Sequence, residues 1–184
     1  MLTLIFLTKT IIDIYVMLLL LRIWMQWIHN DFCNPFAQSI IKFTQLFVSP
    51  LRKILPSLGV IDTASLLLVF LLITIKYPLL LLIQEKSIVL NPYNLLLSII
   101  SLIKAVGHLI FWMMTIRTLM SWISQGYSSI DYLLYQLTEP LIIPIRCIIP
   151  LINGIDFSPI IVILILYTIN YLGIDLLGEL WLAL

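Results

Sequence analysis

The chain has 184 residues, of which 62% are hydrophobic and 10% charged, whereas a soluble domain carries about 45–50% apolar and about 25% charged residues. With a mean hydropathy of +1.15, it holds more Leu and Ile than a fold of this length can bury, because small domains remove only roughly 70% of their unfolded surface from water. The solvent is therefore lipid, and the net charge of +1 excludes both the basic face that neutralises nucleic-acid phosphates and a disordered charged tail.

Residues 1–7 lack a basic stretch, and no small-x-small cleavage signal closes the first apolar run, so it is expected to persist as a span rather than act as a signal peptide. That span covers about 4–28 and contains Lys9, Asp13 and Arg22. Next, Phe36, Ile40, Phe43 and Phe47 recur at helical spacing with Gln38, Lys42 and Gln45 between them, which predicts an amphipathic helix at the membrane interface. Pro50, Arg52 and Pro56 follow. Proline lacks an N–H and disfavours helical geometry in the residue before it, so this segment is expected to run as turns.

The second span, about 64–83, carries Lys76 and Pro78; a short connection with an Asn91-Pro92 breaker leads to the third, about 95–123, with Lys104, His108 and Arg117. A second amphipathic segment begins near Ser129 or Asp131, either of which suits an N-cap, and shows Leu133, Leu134 and Leu137 beside Tyr132 and Tyr135. The fourth span, about 160–177, has Asn170 and Asp175 as its strongly polar residues. Each stretch approaches the roughly 20 apolar residues that a bilayer requires.

Sliding the chain by 95 positions sets Lys9 on Lys104, Arg22 on Arg117, Met25 on Met120 and Trp27 on Trp122. After a one-residue adjustment the offset is 94, and Thr44 falls on Thr138, Pro50 on Pro144, Arg52 on Arg146, Pro56 on Pro150 and Asp62 on Asp156. The expected fold is thus an all-α membrane protein: four transmembrane helices in two parallel tandem repeats, 1–90 and 91–184, each with an amphipathic interfacial segment. Two spans per unit make both halves enter the bilayer in the same direction. Of the basic residues outside the spans, Lys42, Arg52, Lys53 and Arg146 lie on the long connections and Lys86 on the short one. The positive-inside rule places the long connections in the cytoplasm and the termini outside.

The doubled pattern, Ser49-Pro50-Leu51-Arg52 with Pro56 in one half and Thr138-Glu139-Pro140-Leu141, Pro144-Ile145-Arg146 and Pro150 in the other, resembles the YggT family of small bacterial and plastid membrane proteins. The first half departs from the fuller form, with Leu46 where the second has Pro140. The resemblance implies a place in the bacterial inner membrane and a role in membrane physiology. Family members are associated with osmotic or ionic stress tolerance, with division and nucleoid organisation, and in plastids with haem attachment to a b-type cytochrome. Two functions follow as expectations: an ion-homeostasis component, or a scaffold that docks a membrane-protein partner or second copy on its paired Pro-x-Arg segments.

Several polar residues are candidates for these roles. Arg52 and Arg146 each offer five donors, enough to satisfy carbonyls in a proline-broken segment, pair with Asp62 and Asp156, or hold a lipid phosphate. The two aspartates also suit helix starts as caps. Thr44 and Thr138 belong to the same repeated motif. Within the spans, Lys9 and Asp13 are four apart and can neutralise one another, while Ser101, Lys104, His108 and Thr115 share a helical stripe that would line a polar seam. Snorkelling is the competing reading for Lys9 and Lys104. Arg22, Trp27, Arg117 and Trp122 read as interfacial anchors.

No enzyme is expected: there is no phosphate-binding glycine loop, His-Glu-x-x-His or nucleophile elbow. His29 and His108 are isolated, and Cys33 and Cys147 form no metal or redox motif, so neither a metal nor another cofactor is expected. Membrane lipid is the one partner that composition alone requires.

Overall fold

The computed structural model describes residues 2–28, 34–53, 55, 62–85, 93–123, 128–149, 156–178 and 180–181. The expectations placed on His29, Cys33, Pro56 and Pro150, and on the side chain of Trp122, lie outside the described residues. The elements in order are α1 (Leu2–Trp27), α2 (Pro35–Arg52), α3 (Thr63–Glu85), α4 (Tyr93–Ile123), α5 (Ser129–Ile148) and α6 (Ser158–Leu177), with no strand among the described residues. Four helical stretches, Leu2–Trp27, Thr63–Ile83, Asn94–Ser121 and Ser158–Leu177, are long and apolar enough to cross a membrane. Even the 20-residue α6 covers about 30 Å, the thickness of a hydrocarbon core.

The helices present their apolar side chains outward, as a protein dissolved in lipid requires. Phe6, Ile11, Ile103 and Leu164 are all exposed. α2 and α5 are divided more sharply. In α2 the face turned to protein is Ala37, Ile40, Thr44 and Val48, and in α5 it is Leu133, Leu134, Leu137, Thr138 and Ile142. Of the α2 residues expected to form one apolar stripe, only Ile40 is buried; Phe36, Phe43 and Phe47 face outward.

The proline-rich segments are helical in their first part, and the turns expected of them begin only at Lys53 and Ile149. α2 continues through Pro50 to Arg52, and α5 through Pro140 and Pro144 to Ile148. An internal proline removes one ladder bond and bends a helix without always ending it. Here the prolines sit in the second half of each helix, and the arginines of the last turn complement its dipole and fasten its end to the next helix. The start of α5 is also shifted. Ser128, rather than Ser129 or Asp131, is the N-cap, and it forms a reciprocal capping box with Asp131 at the third helical position.

The chain divides into two units, Met1–Trp27 with Ala37–Val106, and Ile28–Phe36 with Gly107–Leu184. In the first, α1 packs along α3, burying Val16, Leu19 and Met25 together with Ala64, Val69 and Ile73. The contacts Arg22 to Asp62 and Asp13 to Lys76 show the two helices running antiparallel. The Tyr15 ring meets Phe47 of α2 edge-on at 5.5 Å. In the second unit Met114 of α4, Ile142 of α5 and Val162 of α6 form the core, with Ile110, Leu141, Ile145 and Leu166 around them.

Candidate functional site

The polar residues of the sequence repeat converge in each unit on the same construction. In the first, Arg22 projects from the last part of α1 and donates through Nη1 to the Thr44 hydroxyl at 2.7 Å. That hydroxyl donates in turn to the Ile40 carbonyl, one turn back in α2. In the second, Arg117 donates to Thr138 at 2.5 Å, and Thr138 to the Leu134 carbonyl. A threonine that bonds its own helix has its hydroxyl proton committed and its lone pairs fixed outward, so it is a directed acceptor.

The second arginine of each motif clamps the acid at the start of the following helix. Arg52 reaches Asp62 through Nε at 3.3 Å and Nη2 at 2.5 Å; Arg146 reaches Asp156 through Nη2 at 2.5 Å. Asp62 also accepts from Ser65 at 2.8 Å, and Asp156 from the Ser158 backbone N–H at 2.9 Å. Each clamp therefore ties the C-terminal turn of an amphipathic helix to the N-terminus of the next span. Burial alone raises the Asp62 carboxyl, but hydrogen bonds from Arg52 and Ser65 and the charges of Arg52 and Arg22 outweigh it and hold the group below the usual carboxylate range. Asp156 is likewise held low, burial being overcome by Ser158 and Arg146.

The two latches differ in one carboxylate. In the second unit Glu139 bridges both arginines, 3.2 Å from Arg117 and 2.8 Å from Arg146. The equivalent position in the first unit is Gln45, and there Asp62 serves both arginines, with Arg22 Nε 3.6 Å away. Arg22 and Asp62 are each only 2% exposed, whereas the Arg52 side chain is 43% exposed. Arg22 is thus buried within the first unit rather than anchored at the interface. Its burial is offset by the Thr44 hydroxyl and the Asp62 carboxylate, although its Nε makes no hydrogen bond. Arg117 is mostly buried too and stacks 4.9 Å over the Tyr135 ring. Trp27 is exposed and meets Trp24 edge-on at 5.6 Å.

A second polar group occupies the spans of the first unit. Lys76 of α3, buried, donates to Asp13 of α1 at 2.6 Å. Asp13 lies about 17 Å along its helix, near mid-span. Lys104 of α4 is within electrostatic reach of Lys9, Lys76 and Asp13, and the Tyr77 and Ser101 hydroxyls are hydrogen-bonded to each other. The residues expected on the α4 stripe are divided between the two units. Lys9, Asp13, Ser101 and Lys104 share a neighbourhood; His108 is exposed, and Thr115 has its hydroxyl donated to the Phe111 carbonyl. Both residues belong to the second unit.

Three participants were missed from sequence. Glu139 belongs to the repeated motif, and a carboxylate between two arginine positions invites the bridging role it takes. Lys76 needed a counter-ion, and Asp13 is the sole carboxylate in the first three spans, but Lys9, four residues from Asp13, is the partner that sequence spacing favours. The third is a C-terminal clasp, for which the sequence carries no signal. Gly178, at φ 56°, turns the chain so that the Trp181 indole covers Gly173 and donates to Asn170 at 2.9 Å. Among the described residues no three His, Cys, Asp or Glu side chains converge as a metal set, and the Cys147 thiol is exposed.

The profile of the CCB3/YggT family matches residues 1–83 and 96–177, the segments that hold α1–α3 and α4–α6. The chain is similar to the uncharacterized protein YggT of Escherichia coli, with 46% identity over 190 residues and 99% of each chain covered. An uncharacterized protein from the proC 3′ region of Vibrio alginolyticus is 45% identical over 180 residues, covering 97% of each chain. An uncharacterized protein of Haemophilus influenzae is 38% identical, with 94% of this chain and 92% of that one covered. No solved structure matches.

Proposed function

The chain belongs to the CCB3/YggT family, and on that premise we propose that it is a multi-pass inner-membrane protein supporting osmotic and ion homeostasis. Its working element is the charge cluster of Lys9, Asp13, Lys76 and Lys104. The observation that carries this reading is the Lys76–Asp13 pair at mid-span. Ionisable groups at that depth cost on the order of 3 kcal/mol each on insertion scales, and substrate or ion pathways are among the functions that retain them. The reading involves no enzymatic turnover. In the test, Lys104→Leu should abolish rescue of growth under osmotic stress while expression is unchanged; retained rescue would count against the pathway.

A second reading, a scaffold for a membrane-protein partner or second copy, draws support from the outward face of α2, where Phe43, Leu46 and Phe47 are exposed beside Lys42 and Lys53. Arg52→Ala combined with Arg146→Ala should then lose a cross-linked partner and leave ion flux unaltered. Unchanged cross-linking in that variant opposes it. We place the long connections in the cytoplasm and the termini outside; a cysteine introduced at Lys53 that is labelled only after permeabilisation supports this orientation, and labelling in intact cells reverses it.

A further inference from the structure

We propose that the first-unit latch is a binding site for a phosphate-bearing anion, held between Arg22 and Arg52 in the place that Glu139 fills in the second unit. The two latches serve as each other's controls. In the second, two arginines face two carboxylates: Arg117 and Arg146 share Glu139, and Arg146 also holds Asp156. In the first, Arg22 and Arg52 face Asp62, and the sequence position equivalent to Glu139 is an exposed glutamine, Gln45. Among the described residues this leaves one positive charge in excess. Arg22 Nε is buried without a hydrogen bond, 3.6 Å from Asp62, as Arg146 Nε is unbonded in the second latch; what distinguishes the first latch is the missing acid and the exposed Arg52, which opens it to the surface.

The surroundings favour a phosphate. α2 carries Lys42 and Arg52, Lys53 follows it directly, and no carboxylate lies between residues 35 and 53, whereas α5 carries Asp131 and Glu139 against Arg146. Guanidinium pairs bind phosphate through charge-assisted, often bidentate hydrogen bonds. Exposed Phe43, Leu46 and Phe47 lie on the same helix, where acyl chains would rest if the phosphate belongs to a lipid headgroup. A basic amphipathic helix of this kind attracts anionic lipid. Free phosphate offers the same chemistry without the chains.

The test uses full-length protein, delipidated in an uncharged maltoside detergent and titrated with short-chain phosphatidylglycerol, phosphatidylcholine or inorganic phosphate. Thermal midpoint and native mass spectrometry supply the readouts. Wild type should take up one phosphatidylglycerol in preference to phosphatidylcholine and gain stability as it does so. If inorganic phosphate stabilises equally, the site stands and its source is the free ion. Gln45→Glu supplies the missing carboxylate by a change of one functional group, and should weaken anion binding by roughly tenfold or more, the equivalent of one charge-assisted hydrogen bond, while raising the anion-free midpoint. Glu139→Gln should create a second site and raise the stoichiometry to two. Equal binding of phosphatidylglycerol and phosphatidylcholine with no response to phosphate, or undiminished binding by Gln45→Glu, overturns the proposal.

Discussion

Asp62→Asn should destabilise the protein far more than Asp156→Asn, although the two residues are equivalent in the repeat. Asp62 is 2% exposed and is the acid shared by both arginines of its latch. The substitution preserves shape but leaves Arg22 buried with Thr44 as its one close acceptor among the described residues, and breaking a buried ion pair from one side costs about 3–5 kcal/mol. Asp156 is 26% exposed, and its partner Arg146 retains Glu139 at 2.8 Å. Losing a partly exposed pair whose cation keeps a second acid costs about 1 kcal/mol. Unfolding in mixed micelles, followed by the helical circular dichroism signal, should separate the variants by about 2–4 kcal/mol. Adding Arg22→Met to Asp62→Asn should recover most of the loss, because an apolar replacement of both partners is close to neutral. Equal destabilisation by the two asparagines, or no recovery in the double variant, would refute the reasoning.

Both aspartates are held below their ordinary range in the folded protein, so their contribution to stability is complete above the unfolded value of about 3.9. It is lost as pH falls through the lower folded values. Micellar unfolding measured down the acid range should show that decline, and Asp62→Asn should flatten it. Thr44→Val and Thr138→Val each remove the acceptor of an arginine donor, a loss of about 1.5–3 kcal/mol by the same unfolding assay. Gly173→Val should displace Trp181, since even a Cβ there would lie 2.5 Å from the indole. A red shift and greater quenching of tryptophan emission would report this, and an unshifted spectrum would contradict the clasp. Lys76→Met alone should destabilise by about 1–2 kcal/mol less than Asp13→Leu, which strands the buried lysine, with Asp13→Leu/Lys76→Met recovering stability.

The architecture was legible because spans and amphipathic segments are written in composition and periodicity, and because scarce charges recur at fixed offsets. The pairings Arg52 to Asp62 and Arg146 to Asp156 followed from the same motif. Burial was not legible. Arg22 sits near the end of a span beside tryptophans, the pattern of an interfacial anchor, and only the position of Thr44 and Asp62 in space reveals that its charge is turned inward. Proline misled in a similar way. Taken one residue at a time, Pro50, Pro140 and Pro144 argue against a helix, but packing of the Ile40 and Ile142 faces overrides that local preference. Helical phase put Ser101, Lys104, His108 and Thr115 on one stripe; it carries no information about which neighbour each part of α4 meets.

The most direct measurement is ion flux in proteoliposomes, comparing wild type with Asp13→Leu/Lys76→Met. The double variant removes both charges together and so keeps the fold, while erasing the mid-span pair on which the ion-homeostasis reading rests. Flux in wild type and its loss in the folded double variant is the predicted result; flux equal in both, or absent from wild type, would contradict it.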